Sequence, residues 1–280
     1  MVYNAPAKFE KGAGSDAEHR IAFILVPDFS MIAFSSAVET LRLANRASAQ
    51  PFYGWRCYSP DGQSVKASNG IVVEVDGGIA DLDRAPMVMV CGGVEVQRFA
   101  DRPLLDKLRR LAAHGATLGG ICTAPYLLAK AGLLDNYRCT IHWENLSGFQ
   151  EEFPHIDITS ELFEIDRNRV TCAGGTAALD MMLTIIADQC GYGVSTLVAD
   201  MVMHHRIRDG HEDQRMDLRV RLGISNPKLL SVIEIMENNL ETPLSCADLA
   251  VDVGLSTRQL ERLFHKYLKR PPTRYYLGLR

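Results

Sequence analysis

"LGGICTAPYLLAKAGLL", residues 118–134, turns the chain through a sharp corner. Apolar residues run into Gly119 and Gly120, Ile121 and Cys122 follow, and a helical pattern then continues to Gly132. A short apolar run that ends at glycines and passes straight into helical periodicity reads as a buried strand followed by a helix. The corner leaves one thiol, Cys122, at the strand tip. A nucleophile would sit there, and so would a residue that only lines a binding pocket; the local pattern permits both.

Outward from this corner the same grammar repeats. Residues 21–26 (IAFILV) and 86–91 (PMVMVC) are continuous apolar runs, the mark of strands covered on both faces. Residues 30–46 are apolar at helical spacing, with Ser30 placed as an N-cap. Residues 51–60, 70–75, 116–122 and 165–172 read as further strands, and 139–143 as a short one. Residues 103–114, 123–131 and 176–190 read as helices. Strands alternating with helices predict an α/β fold, a flavodoxin-like and mostly parallel sheet with helices on both faces. Ligands of such sheets bind beyond the carboxyl ends of the strands. Three loops leave such ends, at 27–30, 91–94 and 121–123, and are expected to converge on one crevice.

Composition bounds what this crevice serves. The 280 residues are 47% hydrophobic and 23% charged, enough for a packed interior, and the net charge of −4 argues against uniform coating of nucleic acid. Seven cysteines show no C-x-x-C pair or regular spacing, which reads as free thiols in a reducing compartment, the cytoplasm. No apolar run approaches the ~20 residues of a membrane helix, so no membrane partner is expected. No metal site is expected: Cys139 and His142 lack further ligands at convincing spacing, and His204 and His205 are placed on different faces of a helix. No cofactor is expected either. Residues 1–19 read as a mobile tail.

Beyond residue 205 the texture changes. HRIRDGHEDQRMDLRVR is dense in mixed charge and GISNPK has turn chemistry, so 205–227 reads as a linker. In the stretch 244–280, Ser245 and Asp248 open a helix, Val253-Gly254-Leu255 makes a turn, and Ser256 caps a second helix. Leu260, Leu263, Phe264 and Tyr267 share one face of that helix. Seven Lys/Arg against one acid lie between Ser256 and Arg280. Two helices joined by a glycine turn, the second strongly basic, are the pattern of a helix-turn-helix that enters a DNA groove. Arg258, Gln259 and Arg262 are placed toward bases, with Lys266, Lys269, Arg270 and Arg274 nearer phosphates and Thr257 on the same DNA-binding surface. An ordinary helical hairpin with a solvated basic face, or a protein-binding module, is the alternative.

The stretch LSCADLAVDVGLSTRQLERLFHKYLKRPPTRYY resembles the first helix-turn-helix of AraC/XylS-type transcriptional regulators. That family joins two such motifs by a long helix, so 228–280 reads as a partial, truncated DNA-binding domain. The strand IAFILV, the strand end VMVCGG, GGICTAPYLLAKAGLL and TCAGGTAALDMML resemble the class I glutamine amidotransferase-like superfamily in its PfpI/ThiJ branch. Together with FSMIAFSSAVETLRLAN, the order of parts is similar to the GlxA subfamily of AraC-type regulators, with a sensor domain over 20–204.

In enzymes of that superfamily the corner cysteine is the nucleophile, followed by His and assisted by an acid. Here Thr123 stands at the His position and Ala33 at that of the acid, which implies that hydrolysis has been lost. The resemblance implies a transcriptional activator, a homodimer, that senses an amino-acid or quaternary-amine metabolite. Phe29, Ser30, Gly93, Cys122, Thr123, His142 and Trp143 are expected to line its pocket. Backbone N–H groups at Gly93 and Cys122 would seat an anion, and Phe29, Tyr126 and Trp143 would offer aromatic walls to a cation. The rival is a cysteine-dependent hydrolase or hydratase in which His142 serves as base.

Overall fold

The computed structural model describes residues 19–279. The tail expected over 1–19 lies outside the described residues apart from His19, which opens the first strand. The chain begins with β1 (His19–Leu25), α1 (Met31–Ser48) and β2 (Tyr53–Ser59), continues through the short β3 (Val65–Lys66), β4 (Val72–Val73) and β5 (Gly77–Gly78), and reaches β6 (Met87–Cys91). Next come α2 (Arg102–Ala113), β7 (Thr117–Ile121), α3 (Pro125–Lys130), β8 (Arg138–Thr140), α4 (Leu146–Glu152) and β9 (Asp157–Thr159). β10 (Phe163–Asp166), β11 (Arg169–Cys172), α5 (Ala177–Cys190) and α6 (Tyr192–Met201) follow. The remainder is helical: α7 (Leu218–Leu222), α8 (Pro227–Asn238), α9 (Cys246–Asp252), α10 (Thr257–Leu268) and α11 (Pro272–Leu279). Two compact units divide between Gln214 and Arg215.

The first unit is built on a seven-stranded sheet of order β10-β11-β7-β6-β1-β2-β5. Every pairing in it is parallel except β10 with β11. The apolar runs are divided between two cores, as a doubly covered sheet requires. Ile21, Phe23 and Leu25 join the core shared with α1 and α5, while Ala22, Ile24 and Val26 join the core shared with α2 and α3. The corner glycines are needed for close approach: a Cβ on Gly119 would lie 2.1 Å from Met89 Sδ, and one on Gly120 would lie 2.8 Å from the Pro125 nitrogen. On α1, Asn45 acts as a peptide mimic. Its amide donates to Tyr53 O at 2.7 Å and accepts from Tyr53 N at 2.8 Å, which fixes the start of β2.

Several local expectations are corrected. Residues 70–75 supply only β4, a two-residue ribbon with β3 outside the main sheet. Residues 165–172 are not one strand but most of a hairpin, β10–β11, turning at Arg167 with φ 55°. The helix expected over 123–131 is the shorter α3. His204 and His205 lie beyond the end of α6, so no helical face separates them. The His204 ring instead contacts Asp180 at 2.7 Å.

Residues 204–214 form a strap across the first unit. The fully buried Asp180 receives the Arg208 backbone N–H at 2.8 Å and its guanidinium at 2.9 and 2.6 Å. Leu162 N donates to the carbonyls of Gly210 and Glu212, both at 2.9 Å. The stretch 205–227 is thus divided: Arg208 and Gln214 are bonded within the first unit, while Arg215 and Arg221 pair with Glu237 in the second.

The second unit has its own core, in which Leu229, Val232, Ile233, Met236, Leu249, Leu260 and Phe264 are fully buried. Caps set its helix starts. Asn226 accepts from Leu229 N, Ser245 from Asp248 N, and Ser256 from Gln259 N. Gly254, at φ 63°, turns α9 into α10 in a conformation that other residues adopt only with strain.

Candidate functional site

Leu25, Cys91, Ile121 and Cys172 are register partners at the carboxyl ends of four adjacent parallel strands. The loops that leave these ends meet. Phe29 and Gly93 form an antiparallel bridge, Ser30 N donates to Gly92 O at 3.0 Å, and Thr123 Oγ1 donates to Gly93 O at 2.7 Å. Gly93 has no room for a side chain, since a Cβ would stand 1.9 Å from Asp28 O.

Cys122 occupies the corner with φ 64°, a left-handed conformation that costs a non-glycine residue roughly 1–3 kcal/mol. Its neighbours hold it there. Cys122 N donates to Cys172 O at 3.0 Å, and Cys122 O accepts from His142 N at 3.1 Å. Gly174 packs so closely that a Cβ on it would lie 2.7 Å from Cys122 Cβ. Cys122 is 8% exposed. Burial pushes its pKa up to about 11, opposed by a hydrogen bond from the Thr123 backbone and assisted by the charge of Glu144. Burial holds His142 below the usual imidazole range, against the pull of Glu144. Its Nδ1 accepts from Glu144 N at 3.4 Å. Activated cysteines work as thiolates with depressed pKa beside a cation; the field at Cys122 acts in the opposite sense.

A chemical test follows. With its pKa raised by burial, Cys122 is expected to be almost wholly protonated at pH 8. Alkylation of the Cys122 peptide by iodoacetamide, followed by mass spectrometry, is expected to accelerate about tenfold per pH unit between pH 8 and 10. A fast, pH-independent rate would reveal a base or cation at the sulfur.

The structure brings together Ser30, Gly93, Cys122, Thr123 and His142. It does not assemble the expected aromatic walls. Phe29 is fully buried and packs edge-on against Phe34 at 5.5 Å, in the core on one side of the sheet. Tyr126 belongs to the opposite core, where its hydroxyl donates to Glu152 and Lys130 lies over its ring at 5.7 Å. Trp143, beside the His142 ring at 5.7 Å, is 42% exposed and is the one of the three that reaches solvent. The anion seat also differs from expectation, because the Cys122 N–H is already committed to Cys172.

An open groove of about 500 Å³ lies elsewhere, alongside the strap, bordered by Phe163, Leu183, Tyr192, Ile207, Arg208 and His211. Beside it Glu161, Glu164 and His211 present ligand-type atoms within 4.8 Å of one another, a cluster that sequence spacing does not reveal. Arg138 already reaches both carboxylates, at 3.0 and 3.3 Å, and His211 pairs with Glu161 at 2.5 Å. All seven cysteines are free.

In the second unit α10 presents the basic face. Leu260 and Phe264 are buried beneath it, while Thr257, Arg258, Arg262 and Lys266 are exposed. Gln259 is drawn into the helix cap, since its Oε1 accepts from Ser256 N at 2.8 Å and Ser256 Oγ at 3.0 Å. A bidentate adenine contact needs that same oxygen, so in this conformation Gln259 starts the helix. Tyr267, expected inward, is exposed and lies under Lys266 Nζ at 5.0 Å.

A parallel α/β unit with a cysteine corner, joined to a helix pair with a basic second helix, defines a sensor-like domain linked to a DNA-binding module. Residues 19–188 match the DJ-1/PfpI family. The chain belongs to that family, in its branch of AraC-type HTH transcriptional regulators typified by GlxA. It is 45% identical over 260 residues to the HTH-type transcriptional regulator GbdR of Pseudomonas aeruginosa (strain UCBPP-PA14), covering 93% of this chain and 71% of that protein. With the HTH-type transcriptional regulator GlxA of Rhizobium meliloti it shares 38% identity over 262 residues, covering 91% and 80%. The crystal structure of an AraC family transcriptional regulator from Pseudomonas putida superposes with a TM-score of 0.60 at 33% identity, over 66% of this chain and 99% of that one. Among the described residues no helix is long and apolar enough to cross a membrane.

Proposed function

We propose that the protein is a cytoplasmic, homodimeric activator of transcription. It senses a small amino-acid or quaternary-amine metabolite at the crevice of Ser30, Gly93, Cys122, Thr123, His142 and Trp143, and it acts on promoter DNA through α10. The crevice recognises and does not catalyse: the thiol is protonated, Thr123 is tied to Gly93, and Ala33 lies in the core with no exposure. The observation that carries the reading is α10. Its buried Leu260 and Phe264 leave Arg258, Arg262 and Lys266 on one outward face, the arrangement that a major groove accepts.

The test is binding of the chain to duplex DNA from its own promoter, across a salt series and with a panel of amino acids and methylated amines. Affinity is expected to fall as salt rises, because phosphate contacts release counterions. Arg258→Ala is expected to cost about 1–3 kcal/mol and to relax preference at one base position. A uniform loss over all sequences would move Arg258 to the phosphates. No binding at low salt would overturn the reading, as would turnover of amides, peptides or isonitriles that Cys122→Ser abolishes. A true effector at about a hundred times its Kd adds about 2.7 kcal/mol of stability to the state it binds.

A further inference from the structure

The strap ends at Gln214, whose side chain makes an unusual set of bonds. Its Nε2 lies 2.9 Å from Thr140 Oγ1, 2.9 Å from Ile141 O and 3.0 Å from Glu161 O. An amide nitrogen has two hydrogens, so three acceptors over-subscribe it. Its Oε1, by contrast, is buried and meets no donor from the protein. Turning the amide over would not help, because it would aim the oxygen at two carbonyls. A buried polar atom that no protein group satisfies calls for a reason.

The position of this residue supplies that reason. Ile141 precedes His142, whose backbone N–H donates to the Cys122 carbonyl at 3.1 Å. Two steps therefore join the Cys122 carbonyl to Gln214: one hydrogen bond into the peptide group between residues 141 and 142, and one out of it. On its other side Gln214 is the last residue of the first unit, and Arg215 opens the second. Gln214 N also donates to Ser160 O at 3.3 Å, so backbone and side chain hold the same edge. An open groove of about 500 Å³ borders residues 207–211 of the strap. A surface element held mainly by polar fastenings opens at lower cost than the buried sheet.

We propose that Gln214 is a positioning residue that couples the Cys122 crevice to the start of the DNA-binding unit, by gripping Thr140, Ile141 and Glu161 in one state of the crevice and releasing them in another. This deepens the sensor reading and rests on it for its biological use. A shift of residues 141–142 changes the acceptors offered to the amide. The strap carries that difference to residue 215.

The test is hydrogen exchange on the full chain, with neither DNA nor metabolite present. Gln214→Met keeps length and removes the donors; Gln214→Glu turns oxygens toward the two carbonyls and is expected to have the larger effect. In both, the amides of His142, Leu162 and residues 215–217 are expected to exchange at least about tenfold faster, while Val88, Met89 and Val90 in the central strand stay unchanged. A merely structural clip would do the same, so a second arm separates the two. Cys122→Val, which perturbs the crevice, is expected to alter exchange at residues 212–217 by at least about fivefold in the wild-type background and by less than about twofold beside Gln214→Met. Equal effects of Cys122→Val in both backgrounds would overturn the coupling, as would unchanged exchange at His142 in the Gln214 variants. Neither result bears on whether α10 binds promoter DNA. Conversely, a failure to bind DNA would leave this internal linkage in place while ending its regulatory use.

Discussion

Phe264→Ala is expected to abolish DNA binding while leaving the first unit folded. Phe264 is fully buried and meets Tyr275 edge-on at 5.6 Å. It stands at the centre of a core that also holds Leu229, Val232, Leu249 and Leu260. Removing a buried phenyl ring costs about 3–5 kcal/mol, the lost transfer energy plus that of the cavity. A unit of this size commands only about 3–10 kcal/mol in total. The loss is therefore comparable to everything that holds α10 against α8 and α9. Calorimetry should show the transition of the second unit lowered or gone, with the transition of the first unchanged. The basic face would lose its geometry although every cation on it remained. Promoter binding at wild-type affinity would mean that Phe264 does not position α10.

Asp180→Ala is expected to be the most damaging single change in the first unit. Asp180 has no exposure, and its carboxylate receives His204, the Arg208 backbone and the Arg208 guanidinium. Breaking a buried ion pair by removing one partner costs about 3–5 kcal/mol, because the surviving charge is left without compensation. Arg208 also donates to Thr176 Oγ1 at 2.7 Å, which does not replace a carboxylate. Asp180→Asn keeps the shape and an acceptor, and should fall between wild type and alanine. Denaturant midpoints measure the order. If alanine and wild type unfold at the same midpoint, the strap is held by its other fastenings alone. With Asp180 gone, residues 204–208 should also become accessible to proteolysis.

The architecture was readable where burial wrote itself as composition. The runs at 21–26 and 86–91 and the Gly119-Gly120 corner could belong only to doubly covered strands and a tight turn. The hairpin of β10 and β11 was hidden because its turn, Asp166 to Arg169, has neither glycine nor proline. Arg167 takes the left-handed conformation itself and spreads its guanidinium 3.9 Å above the Tyr137 ring. α6 was missed because Tyr-Gly and β-branched residues open it; tertiary fastening, Ser195 Oγ to Leu183 O at 2.7 Å, overrides that weak propensity. At the crevice the corner fixed Cys122, Thr123 and Gly93. Phe29 looked like a pocket wall because the sequence cannot tell which side of a loop bridge faces the core. Asp180 and Gln214 read as unremarkable polar residues, since their partners lie more than twenty residues away in the chain and only folding brings them together.

The separate interior of the C-terminal unit bears on how such genes recombine. A crossover that joins foreign sequence immediately after Gln214 would carry across a helical unit with its own apolar centre, and would leave the donor's strap intact. A breakpoint near residue 204 would instead strip Asp180 of Arg208 and Thr140 of Gln214, and is expected to yield an insoluble chimaera. Natural fusions that exchange reading heads on this scaffold are expected to have their seams between residues 214 and 215.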